Sequence, residues 1–147
     1  MINEYKNFVN SSAHFENKRI QVGSEYKHQN ILSLKSFELA NKEISSWDKY
    51  EPTPLYYLSD LANYAGVSSI AYKDENLRFS LKSFKALGGA YAVANLLIKK
   101  LKEIGIEANS SDLIAGTHIE LTSKITVCCA TDGNHGRSVA WGAQKFG

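Results

Sequence analysis

Two short strings hold the residue types that could do covalent chemistry. In the first, Ser83-Phe84-Lys85-Ala86-Leu87-Gly88-Gly89, a lysine stands among apolar neighbours at the start of a strongly periodic segment. A lysine amine attacks a carbonyl only in its neutral form, and partial removal from water favours that form. Phe84, Ala86 and Leu87 supply such surroundings, so Lys85 is a candidate Schiff-base lysine, although an isolated Ser-x-Lys more often marks a solvated lysine near a helix start. In the second string, Thr131-Asp132-Gly133-Asn134-His135-Gly136, two glycines bracket polar residues between an apolar run and another periodic segment. Glycine allows a ligand to approach the backbone closely. The amides that open the following helix favour an anion such as a substrate carboxylate. Asn134 can hydrogen-bond an oxygen of a bound group, and Asp132 can act as a base or balance a cation. The same string also reads as an Asx-type turn in which Asp132 or Asn134 caps the helix, and on these residues alone both readings stand.

Elements must position these strings. Phe37, Ala40, Ile44 and Trp47 recur at helical spacing and predict an amphipathic helix from Ser33 to Trp47. Pro52 and Pro54 then impose extended backbone and stop that helix. Ser59 is placed to cap a short helix, SDLANYAG, that Gly66 ends, and VSSIAYK follows as a strand. After the polar KDENLR, the stripe Leu87, Tyr91, Ala94, Ile98 and Leu101 predicts a helix ending near Gly105, with Asn95, Lys99, Lys102 and Glu103 on its other side. Residues 107–117 read as a loop, KITVCCAT as a buried strand, and HGRSVAWGAQKF as a further helix. The alternation of strands and helices predicts an α/β layered fold, with parallel strands joined by right-handed crossovers. Such sheets bind ligands at the carboxyl ends of their strands, where both strings would fall. Residues 1–32 show no sustained period and read as an irregular arm ahead of a domain covering 33–147.

With 147 residues, 44% hydrophobic and 22% charged, the chain can bury a core of modest size. A net charge of +2 without a basic, aromatic-interleaved cluster argues against a nucleic-acid partner. No apolar run is long enough for a signal peptide or a membrane span, which points to the cytoplasm. Cys128 and Cys129 are adjacent and would face opposite sides of a strand. They read as small core residues in a reducing compartment, not as a disulfide, redox pair or metal site. His14, His28 and His118 stand alone in sequence and read as surface or loop residues.

The strings KDENLRFSLKSFKALGGAYAV and ATDGNHGRSVAWGAQKFG, with PTPL before them, resemble the fold-type-II, tryptophan-synthase-β-like pyridoxal-phosphate enzymes, and among these the diaminopropionate ammonia-lyases. The resemblance runs from about Pro52 to Gly147. It implies a three-layer αβα architecture around a parallel sheet, with pyridoxal 5'-phosphate as cofactor. Lys85 would hold the cofactor as an internal aldimine, Phe84 would pack beside it, and Asn134 would lie near its phenolic oxygen. Thr131, Asp132, Gly133, Asn134 and His135 would form the substrate site. Threonine and serine dehydratases of this fold usually carry a small residue where Asp132 stands. A carboxylate there suits a diamine substrate, taking the α-proton or balancing the second ammonium. The implied reaction is α,β-elimination on 2,3-diaminopropionate to pyruvate and ammonia, by an enzyme that is a homodimer at full length. The family's glycine-rich phosphate cradle and pyridine-nitrogen partner are not found in this chain. It therefore reads as the N-terminal part of the catalytic domain, with an inactive fragment or a dehydratase-like lyase as the alternatives.

Overall fold

The computed structural model describes Lys18, Arg19, His28 and residues 30–130 and 133–147. The chain divides into two units, Met1–Ser33 and Leu34–Gly147. In the first, His14 lies outside the described residues, His28 is exposed, and its carbonyl accepts from the Ile31 amide at 2.9 Å.

Helix α1 spans Leu34–Ser45, close to the expected range, but none of its residues is buried and Phe37 is exposed. Only the end of the predicted stripe reaches the core, through half-buried Ile44 and through Trp47, which is 3% exposed and lies just past the helix. The Trp47 indole donates to Glu43 Oε1 at 2.7 Å, so its single polar group stays paired.

After the two prolines, β1 (Leu55–Tyr57) pairs with β2 (Ala71–Lys73), with Leu55 opposite Lys73 and Tyr56 opposite Tyr72. The predicted strand VSSIAYK is trimmed to its last three residues, and it pairs antiparallel with Leu55–Tyr57, a stretch expected only as extended backbone after the prolines. The short helix α2 (Ser59–Ala65) and the left-handed Gly66, at φ 69°, reverse the chain directly back along β1. Ser59 is the first helical residue; Leu58 holds the cap position without a side-chain bond, so the expected serine cap is absent.

A 3-10 segment, Glu75–Ser80, follows, with the Asp74 side chain accepting from the Asn76 amide at 3.0 Å. Helix α3 (Lys85–Glu103) then forms as expected. Its fully buried face is Ala86, Gly89, Ala90, Val93, Ala94, Leu97 and Leu101, whereas Leu87, Tyr91 and Ile98 of the predicted stripe are half-buried. The face is turned because small residues let another helix approach closely there. That helix is α6 (Asn134–Phe146). A Cβ on Gly142 would lie 2.7 Å from the Ala90 Cα, and one on Gly89 would lie 2.3 Å from the Ser138 Oγ. A Cβ on Gly147 would lie 3.2 Å from Leu97 Cδ1. Contacts advance in the same direction along both helices, so α3 and α6 run parallel and begin at the same end.

Residues 107–117 are not the loop the polar composition suggests. They contain α4 (Ser110–Ile114), opened by a full capping box in which Asn109 Oδ1 accepts from the Ser111 and Asp112 amides and Asp112 accepts from the Asn109 amide. A further turn, α5 (Ile119–Thr122), follows, with half-buried His118 at its cap position.

KITVCCAT also departs from expectation. Residues 125–130 belong to no strand, and Ile125, Val127 and Cys129 are half-buried while Thr126, Cys128 and Ala130 are exposed. The chain has the period-two burial of extended backbone, but among the described residues no neighbouring strand offers a hydrogen-bond ladder. Cys128 is accordingly an exposed free thiol, not a core residue.

The core joins α3, α4 and α6 to an aromatic group in which Trp47 packs against Phe146 at 5.2 Å and Phe79 packs against Trp141 at 4.9 Å between ring centroids. Among the described residues no helix is long and apolar enough to cross a membrane, and no group of three His, Cys, Asp or Glu is placed to hold a metal.

Candidate active site

Lys85 is the first residue of α3 and half-buried, reached through a tightly held approach. Buried Arg78 anchors that approach. Its Nε donates to Glu75 Oε2 at 2.8 Å, one terminal nitrogen donates to the Glu51 carbonyl at 2.8 Å, and the other is shared by Thr53 Oγ1 and Glu75 Oε1, both at 3.0 Å. The guanidinium also lies 5.4 Å from the centroid of the Tyr50 ring. Hydrogen bonding to Arg78 holds the Glu75 carboxyl below its ordinary value of 4.5 and in turn raises the arginine. Beyond Arg78 the backbone turns left-handed at Phe79, Ser80 and Lys82, with φ of 47°, 60° and 57°. Non-glycine residues adopt this conformation at a cost. Phe79 is pinned in it by the rings of Trp47, Tyr50 and Trp141.

The peptide groups on both sides of Lys85 are bonded by serines. The Lys85 amide donates to Ser83 Oγ at 3.2 Å, and its carbonyl accepts from Ser138 Oγ of α6. Both serines are buried. Phe84 is 63% exposed, leaving its ring face open beside the lysine.

The second string opens α6. Gly133 takes φ 101°, a conformation L side chains rarely adopt, and Asn134 is the first helical residue. Asn134 therefore does not cap the helix. Asn134 is exposed, and His135 and Gly136 are half-buried. Thr131 and Asp132 lie outside the described residues. A cleft of about 240 Å³ runs between Gly88 and Gly89 of α3, His135 and Val139 of α6, and residues Val127, Cys128 and Cys129.

The structure thus brings together Lys85, Gly133, Asn134 and His135 at the shared starting end of two packed helices. Sequence reasoning passed over Ser83, Ser138 and Arg78. A signal for Ser138 was present: Ser138 and Gly142 are four apart on α6, a small-residue ridge facing Gly89 and Ala90. Arg78 had only its spacing of three from Glu75 to mark it.

Residues 47–147 match the family described as pyridoxal-phosphate dependent enzyme, and the chain belongs to that family. Among its relatives, diaminopropionate ammonia-lyase of Escherichia coli K12 is 50% identical over 117 residues, covering 80% of this chain and 28% of the relative. That of Salmonella typhimurium LT2 is 46% identical over 101 residues, 67% of this chain and 24% of the relative. The crystal structure of the E. coli ammonia-lyase in complex with an aminoacrylate-PLP azomethine reaction intermediate superposes with a TM-score of 0.58 at 41% identity, covering 77% of this chain and 27% of that one. Its apo form gives 0.58 at 45% identity, covering 75% and 27%. The chain spans 28% of the length of the E. coli relative it matches.

Proposed function

We propose that the chain is the N-terminal part of a pyridoxal-phosphate-dependent carbon–nitrogen lyase that carries out α,β-elimination on 2,3-diaminopropionate, releasing pyruvate and ammonia. One observation carries the reading: the helix that begins at Lys85 and the helix that begins at Asn134 run parallel and are packed with their starting ends together. The two strings thereby become one site. The residues suit the cofactor. Lys85 offers an amine at the edge of the core, the left-handed Gly133 gives a turn with no side chain to obstruct a ligand, and Asn134 adds a neutral hydrogen-bonding amide.

In this reading Lys85 holds the cofactor and, once displaced by the substrate amine, moves a proton at the substrate α-carbon. Bound pyridoxal phosphate supplies the electron sink for the carbanion. The amides of Gly133, Asn134 and His135, at the positive end of the α6 dipole, bind the substrate carboxylate together with Thr131. Asp132 takes the α-proton or balances the second ammonium, which is why a diamine fits better than a hydroxy amino acid. Phe84 lies against the cofactor ring. Residues 33–147 are the N-terminal part of a three-layer αβα domain preceded by an arm, 1–32. Parallel α3 and α6, joined through the extended residues 125–130, suit the crossovers of a parallel sheet. The full-length enzyme is a homodimer in the cytoplasm.

The test is to incubate the chain with pyridoxal phosphate, remove the excess, reduce with borohydride and map the label. Label concentrated on Lys85, and lost in Lys85→Ala, supports the reading. Label scattered over surface lysines, or no stable adduct, overturns cofactor holding by this chain. In the longer protein, Asp132→Asn should slow pyruvate formation from diaminopropionate by roughly 10²- to 10⁴-fold.

A further inference from the structure

Ser138, the single hydroxyl residue of α6, is 1% exposed, and its hydrogen bond does not stay within its own helix. A serine inside a helix ordinarily satisfies its hydroxyl on a carbonyl one turn back. Ser138 instead donates across the helix interface to the carbonyl of Lys85. That carbonyl, as the first of α3, already has a helical acceptor role toward the amide four residues on. The bond is therefore additional to what backbone satisfaction requires. It acts on the one turn of α3 that lacks a preceding turn to hold it, the part of a helix that frays first. Gly89 makes the reach possible: a Cβ there would lie 2.3 Å from the Ser138 Oγ and 2.9 Å from its Cβ. Ser83, bonded to the Lys85 amide at 3.2 Å, holds the other side of the same residue.

We infer that Ser138 is a positioning residue for Lys85: its hydroxyl fixes the first turn of α3, and with it the origin of the lysine side chain, to the helix that opens at Gly133-Asn134. The inference rests on the reading of Lys85 as the cofactor lysine. It deepens that reading by adding a group that touches neither cofactor nor substrate. Gly89 and Ser138 then form a matched pair, one supplying space and the other using it for the bond to Lys85.

Two variants separate positioning from packing. Ser138→Ala removes only the hydroxyl. Gly89→Ala combined with Ser138→Gly restores the space that Gly89→Ala alone would take away, yet leaves no hydroxyl. For each, the share of borohydride-fixed pyridoxal phosphate found on Lys85 relative to the other lysines is measured well below the thermal midpoint, alongside amide exchange in the first turn of α3. The expected result is a thermal midpoint within a few degrees of the parent. The Lys85 share should fall about fivefold, the factor that one net hydrogen bond represents, and exchange should quicken at residues 86–89. Well below the thermal midpoint, a general loss of stability too small to populate the unfolded chain leaves the Lys85 share unchanged. Parent-level labelling of Lys85 in Ser138→Ala, with the parent chain itself labelled there, overturns the inference alone. A parent chain not labelled at Lys85 overturns both the inference and the reading beneath it. If the double variant does not fold, Ser138→Ala decides.

Discussion

Glu75 and Arg78 show how much of the lysine's setting depends on side chains that never approach it. Arg78 is 5% exposed and spends its donors on Glu75, Thr53 and the Glu51 carbonyl, tying the proline-bearing lead-in to the turn before Lys85. Removing the guanidinium strands a carboxylate with 16% side-chain exposure, so Arg78→Met should destabilise the fold by about 3 kcal/mol in urea titration. The pH dependence follows from the lowered Glu75. A carboxyl whose folded value lies below its unfolded one stabilises fully above the unfolded value and loses that contribution as pH falls through the folded one. Urea midpoints should therefore drop as pH falls below 4.5, and Glu75→Gln should flatten that part of the profile. Nothing in KDENLR announces this. A sequence shows that an arginine lies three residues from a glutamate, but burial, which gives the pair its importance, depends on Thr53 and Tyr50 far back in the chain. The placement of Lys85 and Asn134 at helix starts, by contrast, was legible, because each stands at the entry to a sustained apolar period, the second just after a glycine. The roles given to Thr131 and Asp132 fall on residues outside those described.

At the scale of elements, α3 and α6 were legible because their apolar periodicity persists over several turns, and the αL glycine after α2 because its φ demands that residue. Residues 107–117 were misread because a polar composition obscured the Asn109–Asp112 capping box, a local signal that needs no hydrophobic stripe. The pairing of Leu55–Tyr57 with Ala71–Lys73 was not legible because a three-residue apolar run after two prolines carries no alternation to mark it as a strand. Glycine content separates the two faces of α3. A Cβ on Gly88 meets nothing within 4 Å, whereas one on Gly142 meets the Ala90 backbone at 2.7 Å. Gly88→Ala should raise stability by about 0.5–1 kcal/mol through helix propensity. Gly142→Ala should lower it by about 1–2 kcal/mol despite the same propensity gain, because backbone cannot yield as a side-chain tip can. Thermal unfolding of the two variants checks the pair; equal shifts would contradict the packing of α6 on α3.

Across the whole unit, stability is unevenly distributed. The α3–α6 pair supplies most of the buried core cluster, while residues 126–130 have alternating burial and no strand partner among the described residues. Hydrogen exchange should divide accordingly, with amides of 89–97 protected and those of 126–130 exchanging at nearly the rate of free chain. The alternating burial of that stretch explains why a strand was expected from its sequence: the residues have the right period, and a strand is completed only by a neighbour. The aromatic cluster has an optical consequence. The chain contains two tryptophans, Trp47 and Trp141, and their rings stand 6.3 Å apart in that cluster, each also against Phe79. All tryptophan emission from the folded chain therefore originates beside the left-handed turn that leads to Lys85. Its colour and lifetime report on the seat of the lysine rather than on the average state of the molecule.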